Sequence, residues 1–442
     1  MSRFTSYSAA LDYMFSQLPM FHNIGKAAYK ADLHNTIALL EAIGNPHKEM
    51  RWIHVAGTNG KGSVSSMLAA TLTKHGYKTG LYTSPHLLDF TERIRIDGKC
   101  IEESTVIDFM NEIHETLERI KPSFFEITVA LAFYYFKAEN IDIGVIEVGL
   151  GGRLDSTNVI TPLLSVITNI GWDHMDLLGD TIEKIASEKA GIIKKGIPVA
   201  LGPMREEALS VMKQTALANH AKIYHDLPVD VGFIRSLSLK GQYQKENLQT
   251  FACGIEALKD LWFPLKRSLI LTALENVSQL SGLRGRWELI STQPWTITDT
   301  AHNSDGVSFT MKQLHDEYIK SVEQWKNDVV QKHFAADDLN ATPPTIRMVW
   351  GMVSDKDRKK ILQLLPKDAV FYFCKPSVIR GLDANVLAEE SSTFGLTGST
   401  FADVKSGYLQ ALKDAKPRDL IYVGGSTFVV ADLLLYLKES HF

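Results

Sequence analysis

A glycine-rich stretch near residue 60 has the residue types that bind phosphate. It follows an apolar run at residues 52–56 and precedes residues 64–72, which lack Gly and Pro and place apolar side chains at helical spacing. Between a strand and a helix, glycines let backbone N–H groups face an anion, and the helix N-terminus attracts negative charge. The predicted ATP-binding residues of this loop are Gly57, Thr58, Asn59, Gly60, Lys61, Gly62 and Ser63. Lys61 can reach the β- and γ-phosphates, and Ser63 or Thr58 offers a hydroxyl to Mg²⁺.

The spacing of this loop departs from the commonest phosphate-loop pattern. Val55 stands where that pattern has its first glycine, and Gly62 separates Lys61 from Ser63. An ordinary glycine-rich turn is therefore the alternative interpretation. We favour the phosphate loop because strand, loop, lysine, hydroxyl and helix occur in the required order.

Two further polar side chains follow predicted strands. Glu147 lies near the end of the apolar run 141–148, and His174 comes shortly after the apolar run 163–168. Ligand groups gather at the carboxyl ends of parallel strands. A carboxylate in a buried strand costs several kcal/mol unless a cation compensates it, so we predict that Glu147 binds metal, with a structural pair to Arg153 as the alternative. A lone histidine after a strand is usually structural, but His174 follows the third strand that ends in polar residues.

Residues 181–193 have the pattern of an amphipathic helix with a lysine in its apolar stripe. Lys189 falls among apolar residues such as Ile185 and Ile193. Burial lowers the pKa of a lysine from its usual value of about 10.4, and a neutral amine can react with CO₂ to form a carbamate. The pattern alone favours a lysine that extends to water instead.

Length and composition indicate a globular protein of two domains. The chain has 442 residues and a formal net charge of -4, which gives no electrostatic reason to expect nucleic acid or an acidic membrane as a partner. Its three cysteines are scattered, which disfavours a disulfide framework or a zinc site. No run approaches the length of a membrane helix and no N-terminal targeting pattern is evident, so we expect a cytoplasmic protein.

The second part of the chain has its own alternation of strands and helices. Apolar runs at residues 346–350, 369–374 and 420–423 alternate with helical patterns, which predicts a smaller Rossmann-like α/β domain at 293–442. Residues 1–292 are predicted to form the ATP-binding domain, an α/β fold with a P-loop-type, doubly wound, mostly parallel sheet. The charged residues 320–344 look like a surface insertion.

Several stretches together identify a family. The loop at residues 57–63 resembles the nucleotide loop of the Mur ligase superfamily and specifically its folate branch, the dihydrofolate synthase and folylpolyglutamate synthase family. The further similar stretches are Ser84-Pro85-His86, TERIRI at 91–96, EVGLGGRLD at 147–155, EKAGII at 188–193, GQYQKEN at 241–247, RGRWE at 284–288, DTAHN at 299–303, GMVSDKD at 351–357 and GGST at 424–427. Phe428 departs from the histidine form of the last motif.

The resemblance implies roles for metal-binding and reactive residues. It places two Mg²⁺ ions, the first bound by Ser84 and the second by His174, with Glu147 as a further metal ligand and Ser63 as the phosphate-loop ligand. From the residues alone, the Ser84-Pro85 turn would be structural. The lysine that matches Lys189 is often carbamylated in this superfamily. The residues to which we assign catalytic roles are Lys61, His174 and Lys189.

The resemblance also implies contacts with ATP. Asn247 would lie near the adenine and Arg286 would contact phosphate, although a surface arginine is the alternative from the residues alone. Asp299 would hold the ribose, and His302 would point toward the phosphates. In the family, ATP is enclosed by both domains before the chemistry starts.

The activity that the resemblance implies is an ATP-dependent amide ligase. Such an enzyme joins L-glutamate to dihydropteroate, to folate polyglutamates, or to both, through an acyl phosphate, and releases ADP and phosphate. The expected partners are small molecules only, and we expect a monomer. A Mur-type ligase that adds an amino acid to a cell-wall precursor is the enzyme alternative, and a nucleotide-driven switch without catalysis is the other. Residues and spacing alone support an Mg-ATP enzyme.

Overall fold

The computed structural model describes residues 4–17, 32–332, 342–354 and 357–440, and its contacts divide the chain into two units. Unit 1 comprises Met1–Ser238 and Gln244–Leu283, and unit 2 comprises Leu239–Tyr243 and Arg284–Phe442. Each unit has its own sheet with helices around it. The expected α/β class with two mostly parallel sheets is therefore confirmed.

Unit 1 contains an eight-stranded sheet in the order β4-β3-β2-β5-β1-β6-β7-β8. The strands are β1 Trp52–Ala56, β2 Thr79–Tyr82, β3 Ile94–Ile96, β4 Lys99–Cys100, β5 Ile143–Glu147, β6 Leu164–Ile167, β7 Val199–Leu201 and β8 Ile223–His225. All neighbours pair in parallel except β2 with β3 and β3 with β4. Because β5, β1 and β6 are adjacent and parallel, the segments that follow them begin at one edge of the sheet.

Thirteen described helices belong to unit 1. They are α1 Tyr7–Gln17, α2 His34–Ala42, α3 Lys61–Lys74, α4 Glu103–Glu112, α5 His114–Ile120, α6 Phe124–Ala138, α7 Met175–Leu178, α8 Ile182–Ala190, α9 Glu206–Ala218, α10 Val231–Ser236, α11 Gln244–Asp260, α12 Arg267–Glu275 and α13 Val277–Ser281. Side chains from β1 and β5 are buried along both strands, as expected for strands covered on both faces.

The segment before β3 differs from the sequence prediction. The alternating polar and apolar residues at 91–98 predict a strand and turn, but Phe90–Arg93 is a 3₁₀ helix and only Ile94–Ile96 is a strand. The Asp89 side chain accepts the N–H of Thr91, and the Glu92 carboxylate accepts the N–H groups of residues 87–89. These side chains give the backbone hydrogen bonds that favour a cap over an extended strand.

Unit 2 contains a six-stranded sheet in the order β13-β12-β11-β14-β10-β9. The strands are β9 Glu288–Thr292, β10 Trp295–Asp299, β11 Ile346–Trp350, β12 Val370–Cys374, β13 Gly398–Phe401 and β14 Leu420–Gly424. The described helices are α14 Ser304–Lys332, α15 Arg358–Leu362, α16 Ala384–Ser392, α17 Val404–Asp414 and α18 Thr427–Ser440. Only β9 pairs antiparallel, with β10. The predicted domain boundary between residues 292 and 293 lies in the turn of this hairpin.

The predicted insertion at residues 320–344 begins within a helix. Helix α14 continues to Lys332, so the first part of the charged stretch extends an amphipathic helix. Residues 333–341 lie outside the described residues, as do Asp355 and Lys356 of the GMVSDKD motif. Among the helices of the described ranges, none has both the length and the apolar character needed to span a membrane.

A buried ion pair links β11 to the residue that precedes β14 in the unit 2 sheet. Arg347 on β11 donates from Nε to Asp419 Oδ2 at 2.7 Å, and Asp419 is fully buried. The same carboxylate accepts the N–H groups of Thr345 at 2.9 Å and Lys416 at 3.0 Å. Since β11 and β14 are neighbours, this pair fixes the segment that leads into each strand.

We expect Asp419→Ala to lower the free energy of unfolding by about 3–5 kcal/mol, because the change leaves the Arg347 guanidinium buried without its counter-charge. Glu317→Ala is the matched control, since Glu317 forms an exposed ion pair with Lys320 on α14. That change should have little effect. Urea unfolding followed by circular dichroism measures both variants. Equal losses would contradict the role given to Asp419.

Candidate active site

The phosphate loop between β1 and α3 depends on two glycines with positive φ angles. Gly57 has φ 148° and Gly60 has φ 85°, conformations that side-chain-bearing residues rarely adopt. A Cβ atom at Gly57 would lie 1.8 Å from Thr168 Oγ1, and one at Gly60 would lie 2.0 Å from Asn247 Oδ1. Glycine is therefore required at both positions, because the φ angle is positive and because a neighbouring side chain approaches closely.

The segment after β6 braces this loop with hydrogen bonds. Asn169 accepts the N–H of Thr58 through its main-chain oxygen at 2.9 Å and the N–H of Asn59 through Oδ1 at 2.8 Å. Thr168 Oγ1 donates to the carbonyl of Asn59 at 2.5 Å, and the Thr58 hydroxyl bonds to Gly171. These bonds occupy the N–H groups of Thr58 and Asn59. The N–H groups of the first turn of α3 have no acceptor within that helix and are available to an anion.

Two lysine side chains meet at one carbonyl oxygen of the loop. Lys61 Nζ donates to the oxygen of Gly57 and to that of Thr58, both at 3.2 Å, and Lys189 Nζ donates to the oxygen of Gly57 at 3.0 Å. Lys189 is 5% exposed. Burial, reinforced by the charge of Lys61, lowers the pKa of Lys189 to about 7, while Asp173 and Asp155 oppose the shift. The neutral amine of Lys189 is therefore much more accessible near neutral pH than that of an exposed lysine.

Glu147 and Ser84 lie together at the ends of β5 and β2. The Glu147 side chain is buried, and its Oε2 accepts the N–H of Ser84 at 3.3 Å. The turn that carries Ser84 is held by Arg93, whose Nε donates to His86 Nδ1 at 2.8 Å. The Arg93 guanidinium is buried and lies 5.2 Å from the centre of the Phe124 ring. Two of the predicted metal ligands are thus neighbours.

A buried chain of hydrogen bonds shapes the loop that follows Glu147. Asp155 accepts the N–H of Leu150 at 2.8 Å and the hydroxyl of Thr157 at 2.5 Å. Thr157 Oγ1 also bonds to His54 Nε2 at 2.8 Å. Burial lowers the pKa of His54 to about 3, so the ring is neutral and its Nε2–H donates to Thr157. Asp155 therefore holds residues 150–157 in place beside the buried lysine that its charge affects.

His174 lies directly before α7 in a left-handed conformation. Its φ angle is 50°, and its N–H donates to Asp173 Oδ1 at 2.9 Å. The ring is partly exposed, with Nε2 3.8 Å from Asp173 Oδ2. Because Asp173 affects the pKa of Lys189, this turn lies close enough to the buried amine for their charges to interact.

Helix α11 contributes two buried amides to the same loop. Gln244 Nε2 donates to Ser63 Oγ at 3.1 Å, and Asn247 Nδ2 donates to Gln244 Oε1 at 2.8 Å. Asn247, expected near the adenine, is 4% exposed and lies against Gly60. Its position therefore supports the phosphate loop directly.

The predicted ATP contacts of unit 2 form their own cluster. Asp299 accepts the Tyr243 hydroxyl at 2.7 Å and the main-chain N–H groups of Trp287 at 2.6 Å and Ala301 at 2.8 Å. Burial raises the pKa of Asp299, whereas these hydrogen bonds and nearby Arg286 lower it. Arg286 Nη1 donates to the Thr300 hydroxyl, and His302 Nδ1 lies 2.9 Å from the Thr300 carbonyl. Unit 2 thus gathers Arg286, Asp299 and His302.

The donor set of unit 1 fits a magnesium ion bound together with phosphate. Within the described ranges, no three His, Cys, Asp or Glu side chains cluster to hold a metal by themselves. Mg²⁺ in nucleotide sites typically uses one or two carboxylates plus phosphate oxygens and water. The buried Glu147 carboxylate beside Ser84 provides oxygen donors of that kind.

Comparison with known proteins identifies the family. Residues 55–225 match the Mur ligase middle domain. The chain is 30% identical to the dihydrofolate synthase/folylpolyglutamate synthase of Bacillus subtilis over 98% of this chain and 100% of that protein. It is 34% identical to the folylpolyglutamate synthase of Lacticaseibacillus casei over 74% of this chain and 83% of that protein. The chain belongs to the folylpolyglutamate synthase and dihydrofolate synthase family. It is an ATP-dependent ligase.

Solved structures of this family have the same fold. E. coli FolC in complex with DHPP and ADP superposes with a TM-score of 0.80, at 26% identity over 99% of both chains. A bifunctional folylpolyglutamate synthase/dihydrofolate synthase with Mn, AMPPNP and L-glutamate bound gives a TM-score of 0.79, at 28% identity over 98% of both chains. The two-unit architecture is therefore that of the folylpolyglutamate synthase family.

The sequence missed several residues that support this synthase site. The sequence analysis gives no role to Asn169, or to Gln244 and Arg93 within the similar stretches at 241–247 and 91–96, although each hydrogen-bonds a predicted site segment. Asn169 could have been found from its place at the end of a strand beside the phosphate-loop strand. Arg93 shows no comparable signal, because an arginine in an alternating segment normally faces water.

We expect Asn169→Ala to weaken ADP binding by about tenfold, because the N–H of Asn59 loses its acceptor and the synthase loop loses a brace. Asn219→Ala is the control, since Asn219 donates only to the Thr215 carbonyl at the end of α9. Isothermal titration calorimetry with ADP measures both variants. Unchanged affinity in Asn169→Ala would contradict the brace.

Proposed function

We propose that this protein joins L-glutamate to a pteroate or folate acceptor, dihydropteroate, folate polyglutamates or both, at the expense of ATP. The observation that carries the proposal is the meeting of Lys61 and Lys189 at the carbonyl of Gly57, inside a loop braced for phosphate. The DHPP, ADP and L-glutamate of the related structures support these substrates. The relatives named above are folate enzymes, which favours this reaction over the addition of an amino acid to a cell-wall precursor.

In the proposed reaction, the acceptor carboxylate attacks the γ-phosphorus of ATP, and the bond from this phosphorus to the bridging oxygen breaks to release ADP. The glutamate amine then attacks the acyl phosphate carbon, loses a proton, and expels phosphate to leave an amide. Both steps place negative charge on phosphoryl oxygens. Lys61 stabilises that charge from the phosphate loop, together with N–H groups of the first turn of α3.

We assign Ser63, Ser84, Glu147 and His174 as the residues that hold two Mg²⁺ ions. Bound magnesium supplies charge neutralisation and orientation of the phosphates. The contact between Glu147 and the N–H of Ser84 supports one shared site for this pair. The contacts of Arg286, Asp299 and His302 with ATP stay predictions. The contact of Asn247 with the adenine is also a prediction. We further propose a cytoplasmic monomer that has only small-molecule partners.

We propose that Lys189 is carbamylated in the active enzyme. Its buried amine shares the Gly57 carbonyl with Lys61, and the charge of Lys61 disfavours a second ammonium there. Reaction of the neutral amine with CO₂ forms an N–C bond and releases a proton, which leaves an anion. This anion would attract Lys61 and the magnesium ions, so the modification replaces a repulsion with an attraction.

Purified protein incubated with Mg-ATP, labelled glutamate and either dihydropteroate or tetrahydrofolate should give the corresponding glutamylated product by mass spectrometry. Lys61→Ala should lower turnover at least about a hundredfold, because the charge on the transferring phosphate loses its lysine. Lys74→Ala, an exposed change in the last turn of the same helix, is the control. ATP hydrolysis that is independent of both acceptors would contradict the proposed function.

Carbamylation should increase as pH rises through about 7 at constant dissolved CO₂, because the ammonium form of Lys189 that predominates below this pKa cannot attack CO₂. Carbon-13 NMR of protein equilibrated with labelled bicarbonate measures the carbamate. Lys189→Met should lose this signal, whereas Lys194→Met, which alters another partly buried lysine with a lowered pKa, should keep it. An unmodified Lys189 in active enzyme would remove the carbamate from the mechanism.

A further inference from the structure

Gln244 lies in the similar stretch at residues 241–247, but neither the resemblance nor the proposed reaction assigns a role to the bridge that its side chain forms. Its Nε2 donates to Ser63 Oγ, and its Oε1 accepts from Asn247 Nδ2, so both ends of the amide are used. Gln244 and Ser63 are each 1% exposed. Asn247 Oδ1 in turn lies where a Cβ atom of Gly60 would be. The bridge therefore joins α11 to the first turn of α3 and to Gly60 of the phosphate loop.

The hydrogen bond from Gln244 fixes the orientation of the Ser63 hydroxyl. A serine hydroxyl has one proton and two lone pairs, and Gln244 occupies one of these lone pairs. The other lone pair and the proton remain for a ligand, in directions that the amide determines. A donor held in place before the ligand arrives binds it at a lower entropic cost than a hydroxyl that rotates.

Only an amide side chain of this length can make both contacts. Glutamate offers no N–H to Ser63, methionine offers neither donor nor acceptor, and asparagine is shorter by one methylene. The position at the start of α11 places the amide between two elements of the same unit. The chemistry of the bridge therefore requires glutamine, although packing alone would accept an apolar side chain of similar volume.

We propose that Gln244 is a positioning residue that orients Ser63 for the magnesium ion of Mg-nucleotide and keeps Asn247 against Gly60. The inference rests on the proposed role of the phosphate loop in nucleotide binding. Gln244 acts through Ser63, so its effect belongs to the magnesium-dependent part of the affinity. A residue that merely stabilised the fold would affect binding with and without magnesium equally.

The test compares ADP affinity in the presence of Mg²⁺ and in the presence of EDTA, by isothermal titration calorimetry. For Gln244→Met we expect the gain in affinity from Mg²⁺ to fall roughly tenfold, the factor that corresponds to one lost hydrogen bond in a buried site. Gln249→Met is the matched control, because Gln249 lies on the same helix and its amide donates to Asp226 at the surface. The gain in ADP affinity from Mg²⁺, here called the magnesium gain, should be the same for Gln249→Met as for the unaltered chain.

A double-mutant cycle with Ser63→Ala tests whether Gln244 acts through Ser63. If Gln244 acts through Ser63, the double variant should lose no more of the magnesium gain than Ser63→Ala alone. Additive losses would overturn the inference, as would an unchanged gain in Gln244→Met. Gln244→Asn is the second variant should Gln244→Met fold poorly, since its amide is uncharged but too short by one methylene to keep both contacts. An unchanged gain in that variant would also overturn the inference.

The unaltered chain separates this inference from the function on which it rests. Failure of the unaltered chain to bind ADP with Mg²⁺ would overturn the proposed function and the inference together. Normal binding by the unaltered chain and by Gln244→Met, with the same magnesium gain, would overturn the inference alone. Thermal unfolding of each variant shows that the binding data come from folded protein.

Discussion

The site depends on two amines that share one carbonyl oxygen. Lys61 and Lys189 both donate to Gly57, one from the helix that follows the phosphate loop and one from α8. Two ammonium ions so placed repel each other, and burial of one makes its charged form still less favourable. The protein responds by lowering the pKa of Lys189 rather than by separating the groups. This contact joins the loop to α3 and α8.

The loop that receives these lysines is held from two sides. The segment after β6 bonds to Thr58 and Asn59, and α11 reaches Ser63 and Gly60 through its two amides. The contacts occupy space that any side chain at Gly57 or Gly60 would need. The contacts consequently hold the loop in one conformation, and a binding loop that is held in place reduces the reorganisation that binding and catalysis require.

Sequence reasoning found the groups that carry charge but missed those that place them. Strong local patterns identified the phosphate loop, and the apolar runs ending near Glu147 and His174 did form neighbouring parallel strands with β1. The apolar stripe of α8 by itself favoured a Lys189 that extends to water, and the resemblance alone pointed to the buried lysine that the structure has. No local pattern gave Gln244 a role, because its partner Ser63 is distant in the chain and a polar amide has no periodic pattern of its own. Asn169 had a usable signal in its place just after a strand. Residues 91–93 were misread because a local cap outweighed their alternation.

The hydrogen bonds of two buried aspartates distinguish a structural role from one that leaves capacity for a ligand. A carboxylate offers about four lone-pair sites. Asp155 accepts the N–H groups of Leu150 and Thr157 and the Thr157 hydroxyl, and the N–H of Gly149 also bonds to it. Asp299 accepts only from Tyr243, Trp287 and Ala301 among the described residues. The donors to Asp155 thus come from its own loop, whereas the described residues supply three donors to Asp299, which agrees with the prediction that Asp299 accepts a ribose hydroxyl.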